Sequence, residues 1–344
     1  MNVLITGSCG LIGSETVKYY DKRAKLVVGI DNNMRTEFFG KDGDTGWKRK
    51  ELEGKCLRYE HISADIRDRQ VITRIMKELK PNLIIHCAAQ PSHDLAAKIP
   101  FIDFEINALA TLNLLEATKQ HVPEAVFIFM STNKVYGDAP NRIKLKELVT
   151  RWDYDDPEYV NGISENFTID QSLHSLFGAS KVAADILVQE YGRYFGLKTV
   201  AFRGSCLTGP GHSGAELHGF LSFFFKAAKN GRHYIIHGYK GKQVRDQIHS
   251  ADVVRAFDEF YRNPKCGVVY NLGGGKENSV SVLESIDRVE QLLGKKIDYE
   301  YSDENRLGDH ICYYSDLTKM ISDYPDWSIK VTIDDIFEEF ARYC

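Results

Sequence analysis

Asn2-Val-Leu-Ile-Thr-Gly-Ser-Cys-Gly-Leu-Ile-Gly13 stands at the head of the chain. Val3, Leu4 and Ile5 predict a short buried strand and Leu11 to Tyr20 a helix, with Gly7, Gly10 and Gly13 between them, spaced G-x-x-G-x-x-G. Strand, glycine turn and helix N-terminus together make an anion site. Glycines let the backbone approach a pyrophosphate, and the unpaired N–H groups and dipole of the helix stabilise its charge. The backbone of Gly7, Cys9, Gly10, Leu11, Ile12 and Gly13 is the expected cradle. Three glycines also fit an ordinary turn, so the context decides.

The context is a second buried strand, Lys25-Leu-Val-Val-Gly-Ile-Asp31, ending in a carboxylate about 20 positions beyond the glycines. Asp31, with Asn32 beside it, can accept from both hydroxyls of an adenosine ribose and would repel a 2′-phosphate. NAD is therefore expected over NADP, although Arg35 and Lys22 lie close by in sequence.

Around this unit the chain alternates strand-like and helix-like segments for some two hundred residues, the pattern of a parallel sheet with helices on both faces. A polar insertion, Asn32 to Trp47, has Phe38, Phe39 and Trp47 as its expected apolar anchors. Cys56 to Ile62 reads as the third strand and leads to Asp65-Ile66, which would bracket an adenine ring. Leu83 to Cys87 reads as the fourth and leads to Ala88-Ala89-Gln90, where small residues let backbone pass close to a cofactor. A long helix follows over Phe104 to His121, with Asn107 bridging backbone groups, then a fifth strand from Val126 to Met130 running into Ser131-Thr132-Asn133-Lys134-Val135-Tyr136-Gly137. Asp138 to Ser175, acidic and aromatic, reads as a flap or interface loop; a helix over Phe177 to Phe195 and a sixth strand over Thr199 to Arg203 complete the pattern. Beyond lies a smaller lobe, with one return to the sheet expected near Gln247 to Phe257.

The expected fold is thus α/β, a doubly wound parallel sheet of Rossmann type with a smaller C-terminal α/β substrate lobe. The dinucleotide domain is assigned to residues 1–205 plus 246–271 and the substrate lobe to 206–245 plus 272–344. The 344 residues supply a sizeable core, and a net charge of −4 argues against a nucleic-acid surface. Seven dispersed cysteines, with no C-x-x-C pair, suggest neither a disulfide framework nor a zinc site and suit a reducing cytoplasm. The apolar runs are too short to cross a bilayer, and the first strand leaves no room for a signal peptide. A cytoplasmic protein without metal or membrane partner is expected.

These residues together resemble the extended short-chain dehydrogenase/reductases of the NAD-dependent epimerase/dehydratase family. The glycine fingerprint, Asp31, Asp65-Ile66, the alanine pair, Ser-Thr-x-x-Val-Tyr-Gly, Ser180-Lys181, Gly241-Lys-Gln-Val-Arg245-Asp246 and Arg306-x-x-Asp309 carry the likeness over nearly the whole chain. Within the family, Ser131 to Asp138, His174-Ser175 and Gly241 to Asp246 are most similar to CDP-tyvelose (CDP-paratose) 2-epimerases. The 4,6-dehydratases place an Asp-Glu pair where Asn133-Lys134 stands, which counts against dehydration.

The resemblance implies hydride transfer between a sugar carbinol and NAD, with a tyrosine as base, a lysine four residues on and a Ser/Thr hydroxyl orienting the substrate. Thr132 and Lys181 fall in two of those places; Phe177 occupies the tyrosine place and has no proton to give. Lys181 would still hold the nicotinamide ribose. Three explanations stand: a displaced base, a tyrosine deliberately replaced, or a pocket kept without turnover. An active epimerase ranks first. His93 leads the displaced-base candidates because imidazole suits neutral pH, followed by Tyr136, His174 and Cys206. Another sugar-nucleotide enzyme of the family (a 4-epimerase or ketosugar reductase) and a non-catalytic binder are the alternatives.

For the substrate, Arg245 and Arg306 are expected on the diphosphate, since guanidinium forks suit phosphate oxygens. Asp309 is expected on a hydroxyl. Cys206 stands where many relatives carry an asparagine, with Ser205 as its substitute, and Glu216 and His218, with Phe220, lie where a nucleobase is received. The two long helices resemble the pair that builds a four-helix contact in this superfamily, implying a homodimer or homotetramer.

Overall fold

The computed structural model describes residues 1–209, 220–304 and 309–343. Contacts divide the chain into two units: Met1–Thr132, Ser175–Arg203 and Val253–Tyr270 form the first, and Asn133–His174, Gly204–Asp252 and Asn271–Cys344 the second.

The first unit is built on seven strands, β1 (Asn2–Thr6), β2 (Leu26–Ile30), β3 (Tyr59–Ile62), β4 (Leu83–His86), β5 (Val126–Thr132), β6 (Lys198–Gly204) and β7 (Val268–Leu272), ordered β7-β6-β5-β4-β1-β2-β3. β1 pairs in parallel with β2 and β4, so the strand order reverses beside the first glycine turn. That reversal opens a crevice at the carboxyl ends of the strands. Leu4, Val28, Ile84, Phe127 and Phe129 point to one face of the sheet and meet three helices there. They are α2 (Arg69–Leu79), α3 (Ala110–His121) and α4 (Ser175–Phe195). Full burial of one such side chain contributes about 1.5–3 kcal/mol, so this face is a large share of the driving force. α1 (Leu11–Asp21) and α5 (Ser250–Arg262) meet through Tyr19 and Tyr20, whose hydroxyls donate to Asp258.

Local sequence explains the element ends. Asp68 caps α2 by accepting from the Gln70 and Val71 N–H groups at 2.9 and 3.1 Å, and Lys80 closes it in the left-handed region at φ 47° just before Pro81. The long helix expected from Phe104 is present and continuous to His121, led in by a helical turn Pro100–Phe104, widened into a π-helical segment over Glu105–Leu109 and continued by α3. Such widened turns gather at functional sites, and this one carries Asn107.

Three expectations are corrected. The strand returning to the main sheet is β7, whereas residues 247–257 cover the end of a second-unit strand (Val244–His249) and most of α5. Ser250 starts that helix one residue after the strand ends, so period-2 and period-3.6 apolar positions run together there. In the insertion, Phe38 and Phe39 are partly exposed and Trp47 is 49% exposed; Thr45 is buried there, and the buried side chains Lys48 and Leu52 lie just beyond it. Asn133–His174, read with the dinucleotide domain, belongs to the second unit, because its side chains bond there: Tyr136 to Asn271, Asn141 to Asp309 and Ile311, Tyr154 to Cys312.

The second unit holds Val244–His249 between Ser279–Ser281 (antiparallel) and Cys312–Tyr313 (parallel), with Cys206–Thr208 also paired to it. Phe224, Phe225, Ile286, Ile336, Phe337 and Phe340 fill its core. Residues 138–174 are tied down by aromatic contacts, Tyr136 to Phe167, Phe167 to Tyr159 and Tyr159 to Tyr154, with ring centroids 5.7–6.1 Å apart. The segment is therefore anchored from inside rather than hung as a free flap. No described helix is long and apolar enough to cross a membrane.

Candidate active site

The glycine turn is as tight as its spacing implies. Gly7 has φ +68°, and a Cβ there would meet the Ala88 nitrogen at 2.8 Å, so the first turn and the loop after β4 touch backbone to backbone. A Cβ on Gly13 would lie 2.0 Å from the Gly7 carbonyl oxygen. Gly10 caps α1 without a side-chain hydrogen bond, which leaves the first-turn N–H groups for an anion. Asp31 accepts from the Cys9 N–H at 3.0 Å and the Asn33 N–H at 2.8 Å. Each oxygen keeps a lone pair for a ribose hydroxyl. This donor and acceptor set fits an adenine dinucleotide.

Around it, Asn32 donates to Asp65 at 3.4 Å, and Asp65 is gripped by the Arg67 fork at 2.7–3.1 Å. Ile66 is buried. Ala88 N–H donates to Thr6 Oγ1, and Gln90 clamps its own loop through Ser92. Asn107 donates to the Gln90 carbonyl, Asp103 and Ser180, and accepts from the Gln90 N–H. It braces the loop after β4 against the helices; its reach is wider than the strand bridge expected of it.

At the end of β5, Thr132 is half-buried while Ser131 donates to Asp185, itself in a buried pair with Arg203 at 2.9 Å. α4 presents Phe177, 8% exposed, and one turn later Lys181, 3% exposed. Lys181 Nζ donates to the Met130 carbonyl at 2.8 Å and lies 4.1 Å from the centre of the Phe129 ring. Burial among these groups pushes its ammonium down to about 8, against the pull of Asp185, Cys87 and Asp103. His93 begins a four-residue helical turn with Nδ1 3.2 Å from the Asp94 carboxylate.

In the second unit, Tyr136 is fully buried and its hydroxyl donates to Asn271 at 2.8 Å, which places it as a strut. The two ring nitrogens of His174 face the Ser172 and Val135 carbonyls, both at 2.9 Å. Burial pushes the Cys206 thiol up to about 11, so it stays protonated at neutral pH. Ser205 donates to the buried Asp246. Arg245 donates to Asp309 at 2.6 Å, and Lys134 reaches the same oxygen at 3.3 Å. Burial opposes ionisation of Asp309, but Arg245 and Lys134 hold its carboxyl far below the usual range. Glu216, His218 and Arg306 lie outside the described residues.

Sequence reasoning missed Asp103, Asp185 with Arg203, and Lys134 as a member of the Arg245–Asp309 group. Asp185 lies four residues after Lys181 on one helix face, a spacing that could have flagged it. Asp103 gave no signal: a lone aspartate near a proline reads as a helix start.

Comparison with known proteins gives three results. Residues 3–273 match the model of the NAD dependent epimerase/dehydratase family. The chain is 34% identical over 343 residues to a CDP-paratose 2-epimerase of Salmonella typhi, covering 97% of this chain and 96% of that one. It is 29% identical to a dTDP-glucose 4,6-dehydratase of Salmonella typhimurium, over 87% of this chain and 80% of the relative. Among solved structures, a Bacillus cereus UDP-glucuronic acid 4-epimerase superimposes with a TM-score of 0.81 at 23% identity, covering 100% of this chain and 98% of the other. A Bacillus anthracis dTDP-glucose 4,6-dehydratase in complex with NAD gives 0.75 at 23% identity, covering 100% and 96%. These two show the shared fold.

Proposed function

The chain belongs to the NAD-dependent epimerase/dehydratase family, and we propose that its own reaction is inversion at C2 of a CDP-hexose, of the CDP-paratose to CDP-tyvelose type, through a transient keto-sugar. NAD, the family's cofactor, would supply the hydride acceptor for a ring carbinol and the donor that restores it. The glycine cradle and Asp31 hold the dinucleotide, and Lys181 donates to the nicotinamide ribose. The Thr132 hydroxyl orients the substrate oxygen. Arg245, joined by Arg306, neutralises the diphosphate, while Asp309 accepts from a substrate hydroxyl.

The observation that carries epimerisation over dehydration is the pair after Thr132. A dehydratase needs an acid there to protonate the departing hydroxyl. Here Asn133 supplies an amide, and the Lys134 ammonium is held 3.3 Å from Asp309. Kinship at 34% identity along 97% of the chain to a CDP-paratose 2-epimerase supports the same choice.

The test is incubation of the NAD-loaded protein with CDP-, UDP-, GDP- and dTDP-hexoses, with the ring protons followed by NMR. Inversion at C2 of the CDP-sugar is the expected result. Net consumption of NAD(P)H would reassign the chain as a reductase, inversion at C4 as a 4-epimerase, and binding without exchange at any carbon as a non-catalytic binder. A homodimer is proposed alongside, supported by Ile186 and Tyr194, which lie 42% and 79% exposed on α4; light scattering at micromolar concentration tests it.

A further inference from the structure

A carbinol cannot give up hydride unless its hydroxyl proton also leaves, and the residue that receives that proton elsewhere in the family is Phe177 here. In the same unit, one turn along the same helix, stands a buried amine. Lys181 Nζ lies beneath the end of β5, 2.8 Å from the Met130 carbonyl and 4.1 Å from the Phe129 ring centre, two residues before Thr132. The titratable groups that face it are Asp185 on its own helix, Asp103 on the turn Pro100–Phe104, and His86 and Cys87 at the end of β4.

Among the described residues neither carboxylate bonds to the amine. Asp185 is taken by Ser131, Arg203 and Gln189. Asp103 is taken by Gln90, Asn107 and Ser180. His86 sits between Thr6 and Thr111, pushed down to about 3 by burial and by Lys181, so it stays neutral. Burial pushes the Cys87 thiol up to about 12, so it is neutral as well. The ammonium is thus buried with one carbonyl and one ring face as its close partners, and Asp185 and Asp103 act on it only through space, too weakly to offset its burial. His93, the acceptor expected from the sequence, has its Nδ1 3.2 Å from the Asp94 carboxylate.

We propose that Lys181, as the neutral amine, takes and returns the substrate hydroxyl proton that a tyrosine handles in the rest of the family. This rests on the redox reading above. The substrate O–H bond breaks as an N–H bond forms on Nζ, and the O–H electron pair becomes the second C–O bond. The ring carbon loses its hydrogen as hydride, with NAD as the oxidant, and reversal restores both. A lysine held at about 8 supplies the free amine in roughly one molecule in four at pH 7.5, against about one in a thousand for an ordinary lysine.

Two measurements on the NAD-loaded full chain test this. First, 13C NMR of protein labelled at lysine Cε: one resonance, absent from Lys181→Met, is expected to titrate near 8. A midpoint above 10 overturns the proposal whatever the substrate proves to be, whereas absence of sugar turnover with a midpoint near 8 removes the redox reading instead. Second, Lys181→Arg keeps the cation and its reach to the ribose but cannot release a proton. NAD should remain bound while turnover falls on the order of 10²–10⁴-fold at every pH. In Lys181→Ala, ethylamine should raise turnover in proportion to its free-base concentration, since it supplies the missing general base from solution. If Lys181→Arg turns over normally, or if imidazole restores His93→Ala while amines restore nothing in Lys181→Ala, the role passes from Lys181.

Discussion

Replacing Gly13 by alanine should uncouple the fold from its cofactor. The new methyl would stand 2.0 Å from the Gly7 carbonyl oxygen, more than an ångström inside ordinary contact, and 2.7 Å from its carbon. Gly7 cannot yield, because it is itself in the left-handed region at φ +68° and pressed on the Ala88 backbone. The first turn of α1 must therefore retreat, taking its N–H groups away from the pyrophosphate. Losing one charge-assisted hydrogen bond costs about 1.5–3 kcal/mol. Weakening the helix-terminus field adds about 0.3–1 kcal/mol, so NAD affinity should fall on the order of 20- to 1,000-fold. Isothermal titration with NAD reads the loss, and thermal unfolding without NAD separates it from overpacking, worth about 1–3 kcal/mol. Gly54→Ala is the control: nothing lies within 4 Å of its added methyl, on a helix, so stability should hold or rise by about 0.5–1 kcal/mol. A Gly13→Ala protein that binds NAD within threefold of the wild type would refute the cradle.

Asp31→Asn keeps the contour of the side chain but loses the charge, and should weaken NAD about 10- to 100-fold while narrowing the preference over NADP, read by titration with both. Arg203→Met strands Asp185, which is 1% exposed, and should cost about 3–5 kcal/mol in urea denaturation. Lys181→Met should stabilise the NAD-free protein at pH 7: a lysine held at about 8 instead of 10.5 carries a penalty of about 3 kcal/mol, from which about 1 kcal/mol is deducted for the orphaned Met130 carbonyl. Because the folded-state pKa is the lower one, the penalty is complete below pH 8 and fades as the pH rises toward 10.5. The gain of about 2 kcal/mol over wild type at pH 7 should therefore vanish by pH 10.5 in paired urea titrations, and an equal difference at both pH values would contradict it.

The strand–turn–helix at the head of the chain was legible because each of its residues is dictated locally: glycine by φ and by close approach, aliphatics by burial, Asp31 by its place at a strand end. The first six strands of the parallel sheet were legible for the same reason. β7, Val-Val-Tyr-Asn-Leu, was lost because a stronger apolar period lies over residues 247–257, where strand and helix abut. The supports of the site were hidden by distance along the chain. Ser180 donates to Asp103 across 77 residues and Ser131 to Asp185 across 54, and no local pattern marks a polar group that will be satisfied so far away. Phe177 was visible at once as a departure, since position along a helix relative to Lys181 needs no tertiary information. Which group answers for the missing phenol was not, because the surroundings of Lys181 come from β4, β5 and the turn Pro100–Phe104 together.

The most direct measurement is proton NMR of CDP-paratose turned over by the NAD-loaded protein in heavy water. Hydride that leaves C2 and returns to it never meets solvent, so we expect inverted product carrying protium at C2. Deuterium at C2 would mean proton abstraction instead of hydride transfer, and an unchanged sugar would mean no redox chemistry at that carbon; either result contradicts the reading of this chain as a 2-epimerase.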